Sequence, residues 1–332
     1  MQPQLVALDW GTSSLRAYLL GPEGHVLDQR SLDRGIMQLS TIPRTICGES
    51  TNDGFELTFD EACGDWLDAY PDAAVIACGM VGSAQGWQEV PYCPSPAQAA
   101  DVAAGMARVR TLRGIHVHLV PGVLQRSALP NVMRGEETQI FGLLQSLPPA
   151  ERDQTLLVGL PGSHSKWARV VEQRIEHFDT FMTGELFAAA SAHTILGRTQ
   201  KRSASFDSVA FERGVAVAMS PEGSIGVLST MFSARSLGLT GQLASSEQAD
   251  YLSGLMIGHE LRALAEMQRQ RSGQTELPAV VLIGNGALCQ RYSQALALCG
   301  FSSVSQAEQA TERGLWSLAL AAGLVAQQLQ EV

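Results

Sequence analysis

Short apolar runs separated by small polar residues open the chain. Leu5-Val-Ala-Leu-Asp9-Trp10 and Leu15-Arg16-Ala-Tyr-Leu-Leu20 flank Gly11-Thr12-Ser13-Ser14, and a third extended run covers 25–31 after Gly21-Pro-Glu-Gly24. The pattern predicts strand, tight turn, strand, turn, strand. It returns as Leu156-Leu-Val-Gly-Leu-Pro161, Gly162-Ser163-His164-Ser165 and Lys166-Trp-Ala-Arg-Val-Val171, followed by a third run over 174–181. Gly11, Ser14 and Ala17 fall on Gly162, Ser165 and Ala168 at one constant offset. With a second turn two residues shorter, Gly35 falls on Gly184. Self-similarity at such range signals an internal repeat, and two copies of one hairpin predict two halves facing one nucleotide.

After the first three strands, the periodicity predicts a helix over 60–70, a buried strand over 73–78 running into Gly79-Met-Val-Gly82, an Ala-rich helix over 97–112, a strand over 115–120, and a helix from Glu136 with Ile140, Leu143, Leu144 and Leu147 on one face. The second half predicts helices over 185–196, 205–219 and 249–269, a strand over 279–283, a helix after Ala287, a short strand over 301–304 and a final helix from Gly314. The polar, proline-bearing stretch 146–153 predicts the boundary between an N-terminal domain, 1–150, and a C-terminal domain, 151–332. The polar, basic segment 198–208 reads as a candidate mobile loop.

Composition narrows the function classes. With 332 residues, 45% of them hydrophobic, the chain can bury two cores. A net charge of −10 argues against nucleic acid or an anionic membrane as partner. Neither a secretory leader pattern nor an apolar run of bilayer length is present, so a cytoplasmic location is expected. The six cysteines form no C-x-x-C pair and no Cys/His cluster, and read as buried free thiols. Oligomeric state stays open, a homodimer included.

The repeated turns carry the candidate chemistry. Small residues let backbone N–H groups point into a concavity that binds phosphate oxygens, which makes Gly11, Thr12, Ser13, Gly162, Ser163, His164 and Ser165 phosphate-binding candidates. Asp9 ends a buried strand, where an unpaired carboxylate is costly. A bound Mg²⁺ would offset that cost; the alternative is an Asp that stabilises its own turn. The second loop has Leu160 and Pro161 where the first has Asp9 and Trp10, so it must work through backbone groups, hydroxyls, His164 and Lys166. Glu136 and Glu137 open a predicted helix, where acidic residues commonly complement the helix dipole and where a carboxylate can also take the proton of an attacking hydroxyl. The two point about 100° apart on a helix, and Glu136 is the expected base with Glu137 as its rival. The planar fork of Arg134 suits a substrate carboxylate, with Arg34 a second candidate. Gly79, Thr183 and Glu185 are further substrate-side candidates, although Thr183 and Glu185 also fit a plain helix start. Gly284-Asn285-Gly286 follows the run Val281-Leu-Ile283, and glycines there permit close approach of a flat adenosine.

The motifs Leu8-Asp-Trp-Gly-Thr-Ser-Ser-Leu-Arg16, Cys78-Gly-Met-Val-Gly-Ser83, Asn131-Val-Met-Arg-Gly-Glu-Glu-Thr-Gln139, Leu160-Pro-Gly-Ser-His-Ser-Lys-Trp167 and Phe181-Met-Thr-Gly-Glu-Leu186 closely resemble the 2-dehydro-3-deoxygalactonokinase family over essentially the whole chain. The resemblance implies a duplicated actin-like, ribonuclease H-like α/β kinase fold with two domains, each a mixed sheet flanked by helices. It implies transfer of the γ-phosphoryl of ATP, with Mg²⁺, to the 6-hydroxyl of a 2-keto-3-deoxy sugar acid. It also implies Asp9 as a metal residue, a phosphate or substrate role for Arg16, an acceptor base at 136–137 and adenosine at Gly284–Gly286. A kinase for another sugar or sugar acid and a non-catalytic ATPase switch are the alternatives. Only the switch could dispense with Arg134 to Glu137.

Overall fold

A computed structural model describes residues 2–201, 203, 205–273 and 275–326. Two compact units emerge. The first comprises the chain up to Thr155, Arg169–Phe178 and the residues from Glu308 on; the second comprises Leu156–Ala168 and Asp179–Ala307. A single crossing near residue 150 therefore does not describe the path of the chain, because its last helix packs with the first unit.

The first unit is built on β1 (Leu5–Trp10), β2 (Leu15–Leu20), β3 (Val26–Leu32), β4 (Ala74–Cys78), β5 (Ala107–Arg110) and β6 (His116–Leu119), ordered β3-β2-β1-β4-β6-β5. Strand β1 is antiparallel to β2 and parallel to β4, and β4 is parallel to β6. Five of the six β1 residues are buried, as a central strand covered on both faces requires, whereas β3 at the edge is mostly exposed. Helix α1 (Gly54–Ala69) starts where the Asp53 side chain accepts from the N–H groups of Phe55 and Glu56, at 2.8 and 3.1 Å. Its residues Phe59, Ala62, Cys63, Trp66 and Leu67 recur at helical spacing and fill the core beside Val6, Leu8 and Leu19.

A second sheet, drawn mostly from the second unit, contains the strands β7 (Leu156–Leu160), β8 (Ser165–Val171), β9 (Arg174–Phe181), β10 (Val280–Ile283) and β11 (Val304–Ala307), ordered β9-β8-β7-β10-β11. Strand β7 is parallel to β10, and β10 to β11. Both sheets share one order, in which the first strand lies between the second and fourth. This is the duplicated, ribonuclease H-like plan expected of an actin-like kinase, and the hairpin repeat opens each sheet.

A reciprocal glycine contact fixes one helix pair in each unit. Helices α2 (Glu136–Ser146) and α7 (Ala310–Ala321) cross so closely that a Cβ on Gly142 would lie 1.8 Å from the Ala310 carbonyl oxygen, and one on Gly314 would lie 1.9 Å from that of Thr138. Between them in sequence come α3 (Thr183–His193), α4 (Ser208–Met219), α5 (Gln248–Ser272) and α6 (Gly286–Leu298). Helices α4 and α5 repeat the device, with Gly214 against the Tyr251 carbonyl at 2.1 Å and Gly254 against that of Phe211 at 1.9 Å.

Several expected elements differ in extent. The helix expected over 97–112 stops at Gly105, and Ala107–Arg110 form an edge strand in which half-buried and exposed residues alternate. The last helix starts at Ala310 rather than Gly314, and the last strand covers Val304–Ala307 rather than 301–304. In the polar segment 198–208, Arg202 and Ala204 lie outside the described residues. Its flanks are tied down by Lys201 N–H to the Ser245 carbonyl at 2.9 Å and by the Asp207 cap on α4. Among the described residues no helix is long and apolar enough to cross a membrane.

Candidate active site

In the first unit, the N–H of Gly11 donates to the Ser14 carbonyl at 2.9 Å and closes the turn between β1 and β2, leaving Thr12 and Ser13 exposed at its tip. Gly35 backs this loop. A Cβ there would lie 2.2 Å from the Thr12 carbonyl, and the N–H groups of Ile36 and Met37 donate to Gly11 and Thr12 at 3.0 and 3.2 Å. Beneath it, Trp10, Phe55, Phe59 and Trp87 form an aromatic cluster with centroids 5.7–5.9 Å apart. The indole N–H of Trp10 reaches the Arg34 carbonyl at 3.0 Å.

The second unit repeats the arrangement. Gly162 to His164 are accessible, Ser165 is buried, and the loop is backed by the first turn of α3. A Cβ on Gly184 would lie 2.3 Å from the Gly162 carbonyl oxygen, and the Glu185 N–H donates to the Ser163 carbonyl at 3.0 Å. His164 pairs with the Glu185 carboxylate on the outside of this clamp. The correspondence of Gly35 with Gly184, read from alignment, is thus a correspondence of role: each glycine lets backbone press on its phosphate-loop candidate.

Beside the first loop, three segments converge. Gly79 follows β4 at φ +89°, and a Cβ there would lie 2.8 Å from the Trp10 carbonyl oxygen. Gly135 packs on Gly79, its added Cβ 3.5 Å from the Gly79 Cα. A small sheet of Cys93–Pro94, Val123–Gln125 and Asn131–Met133 delivers Arg134 and Gly135 to this point. The two glutamates that follow part company. Glu137 is fully buried, its carboxylate accepting the Gly135 N–H at 2.7 and 3.0 Å and the Thr138 hydroxyl at 3.0 Å. Burial, and secondarily the charge of Glu136, push its pKa up to about 7. Glu136 is half-buried and accepts the Arg134 N–H at 2.9 Å.

Asp9 keeps 21% of its side chain accessible and meets the exposed Arg16 at 3.3 Å. Burial raises its pKa, Arg16 counters, and Glu312 on α7 adds a further upward push. The buried Cys78 thiol feels the charges of Asp9 and Glu137, which places both carboxylates around the end of β4. Arg134 lies over the Tyr92 ring at 4.4 Å and donates to the Val90 carbonyl at 2.8 Å. Its Nε and Nη1 are buried without a hydrogen-bond partner, which is costly unless a ligand oxygen arrives.

Other expected residues sit differently. Lys166 is buried and its ammonium donates to the Thr180 hydroxyl at 3.0 Å, so it is turned into the fold rather than toward solvent. Thr183 is likewise turned inward, onto Glu260. Arg34 lies 3.5 Å from Glu61. Gly284, at φ +145°, comes close to the Pro161 carbonyl, while the Asn285 side chain caps α6 by accepting from Ala287 and Leu288. The Gly284–Gly286 turn is therefore exposed beside the second loop. Sequence reasoning missed Glu312 and Glu260. The signal for Glu260 was present, since it is the one acid among Ile257, Leu261 and Leu264 on the buried face of α5.

Comparison with known proteins decides the family. A model of the family described as 2-keto-3-deoxy-galactonokinase matches residues 9–318. The chain belongs to that family. It is 34% identical over 318 residues to a Rhizobium meliloti (strain 1021) protein named "Probable 2-dehydro-3-deoxygalactonokinase DgoK1", covering 95% of this chain and 96% of the relative. It is 30% identical to the 2-dehydro-3-deoxygalactonokinase of Escherichia coli (strain K12), covering 96% and 98%. A crystal structure of a Sinorhizobium meliloti protein assigned to the same activity superposes with a TM-score of 0.79 at 31% identity, covering 96% of this chain and 98% of that one.

Proposed function

We propose that this family member phosphorylates the 6-hydroxyl of 2-dehydro-3-deoxy-D-galactonate with ATP, a step of galactonate catabolism. The observation that carries the residue assignment is the close approach of Gly79 to the Trp10 backbone beside Asp9 and of Gly135 to Gly79, with Glu136 alone of the two adjacent acids left accessible. Glu136 orients the acceptor hydroxyl and takes its proton late in transfer. Glu137 holds the turn that presents Glu136. Arg134 carries unpartnered buried donors and takes the substrate carboxylate, a charge-assisted contact that fixes the sugar acid end to end.

The nest at Gly162 to Ser165 and the turn Gly284–Gly286 serve ATP, the first for phosphate oxygens and the second for adenosine; Gly11 to Ser13 and Arg16 add phosphate contacts. Asp9 fits Mg²⁺, since its carboxylate lies near the end of β1 with 21% of its side chain still accessible. No three His, Cys, Asp or Glu side chains gather for a metal among the described residues. Mg²⁺ in phosphoryl-transfer sites is commonly held by one or two carboxylates together with phosphates and water. When bound, the ion neutralises phosphate charge.

The test is coupled ADP release by the purified protein across a panel of aldoses, aldonates and 2-keto-3-deoxy acids, the gluconate epimer included. Rapid turnover only with 2-dehydro-3-deoxygalactonate is expected. Clear preference for another acceptor overturns the assignment, and acceptor-independent hydrolysis favours a nucleotide switch.

A further inference from the structure

Beneath the second loop lies a polar network that the roles above leave unused. Glu260, on α5, is 3% exposed. Its carboxylate accepts the Trp167 indole N–H at 2.7 Å and the Tyr292 hydroxyl at 2.9 Å. The hydroxyls of Ser165 and Thr183 also bond to it, and Ser165 Oγ lies 3.0 Å from the Tyr292 hydroxyl. An ionised carboxylate in an apolar core is retained at a cost that only several good donors offset. Here four donors converge, from β8, α3 and α6, on one side chain of α5.

The identity of two donors gives the network its meaning. Ser165 ends the Gly162–Ser165 loop, and Thr183 is the first residue of α3, whose next two residues clamp that loop from the other side. The carboxylate therefore ties both halves of the clamp to the long helix α5 from below. Phosphate binding by backbone N–H groups depends on their being held in place before the ligand arrives.

We propose that Glu260 is a positioning residue for the nucleotide: it fixes the loop Gly162–Ser165 and the first turn of α3 in the geometry that receives ATP phosphates. The inference rests on the assignment of that loop to ATP. Glu260→Gln tests it in the full-length enzyme, because the amide keeps the volume but presents N–H hydrogens where an oxygen accepted. Tyr292 can rotate to accept one of them, whereas the Trp167 N–H can only donate.

The expected result is a split. ATP affinity, measured by calorimetry without acceptor, weakens at least about fivefold, and kcat falls about tenfold or more, while the KM of the sugar acid stays within about twofold. A folded variant whose ATP affinity and kcat match wild type overturns the proposal, as does a change confined to the sugar-acid KM. Tyr292→Phe, which keeps the ring in its core position, is the second variant and decides alone if Glu260→Gln does not fold. Weaker ATP binding in the same direction supports the proposal, and unchanged binding overturns it. Failure of the assigned acceptor shows up in wild-type turnover, whereas failure of this inference shows up in ATP binding, which needs no acceptor.

Discussion

Glu137 offers a sharp physical test of the first-unit site, because a fully buried carboxyl with a pKa near 7 must tie stability to pH. In the unfolded chain a glutamate titrates near its reference value of about 4.3, while in the native state burial and the charge of Glu136 hold Glu137 at about 7. Between those values the native state binds more protons than the unfolded state, so stability falls as pH rises. The contribution is fully present below about pH 4 and is lost as pH climbs through about 7. The gap of roughly 2.5 units corresponds to about 3 kcal/mol at 1.36 kcal/mol per unit.

Glu137→Gln removes the ionisation and keeps an acceptor for the Gly135 N–H. Every other titrating group is common to both proteins, so the difference between variant and wild type isolates residue 137. Urea unfolding followed by tryptophan fluorescence is suited to the question, since Trp10, Trp66, Trp87 and Trp316 all belong to the first unit. From pH 5 to pH 8.5 the variant is expected to gain about 2–3 kcal/mol on wild type, and a substantial part of that gain should survive high salt, because burial, the first cause of the shift, is screened little. A difference that stays constant over that range refutes the account, and would mean that water or a cation reaches the carboxylate in the native state.

Two further outcomes follow from the same neighbourhood. Glu136→Gln should lower kcat by about 10²–10⁴-fold with ATP affinity nearly unchanged; steady-state kinetics showing near-normal kcat would remove Glu136 from the base role. Gly314→Ala places a methyl group 1.9 Å from the Thr138 carbonyl oxygen, so about 2–3 kcal/mol of stability should be lost despite better helix propensity. Because Thr138 adjoins the two glutamates, the KM for the sugar acid should rise as well, and a melting temperature equal to wild type would contradict the close crossing.

The parts of this site that lie close together in sequence were legible before the fold was known. Strand, turn and strand at Leu5–Leu20 and Leu156–Val171 follow from short-range pattern, and alignment of the two copies alone paired Gly35 with Gly184. What pattern could not supply is long-range. That α7 completes the first unit depends on Gly142 meeting Ala310 and Gly314 meeting Thr138, contacts between segments about half the chain apart, and no local propensity encodes them. The direction of Lys166 was equally hidden. A loop lysine reads as a ligand for anions until the alternation of β8 turns it onto Thr180. The Glu136 and Glu137 pair was separable only in principle, by the helical turn between them, until burial showed which one is sealed.

The duplication also explains why the two loops differ in chemistry while sharing a frame. In each unit a glycine presses backbone against the loop, and this requirement is steric, so it persists in both copies. The carboxylate is not required by the frame. Asp9 has Leu160 as its counterpart, and the second unit places its acid elsewhere, as Glu260 on a helix beneath the loop. Asp9, near the end of its strand, keeps part of its side chain accessible. An acid buried below can only shape the backbone above it. One inherited hairpin thus yields a loop with a charge of its own beside the candidate base, and another that works through aligned N–H groups. In the proposed assignment, the first loop serves the acceptor side and the second the nucleotide side.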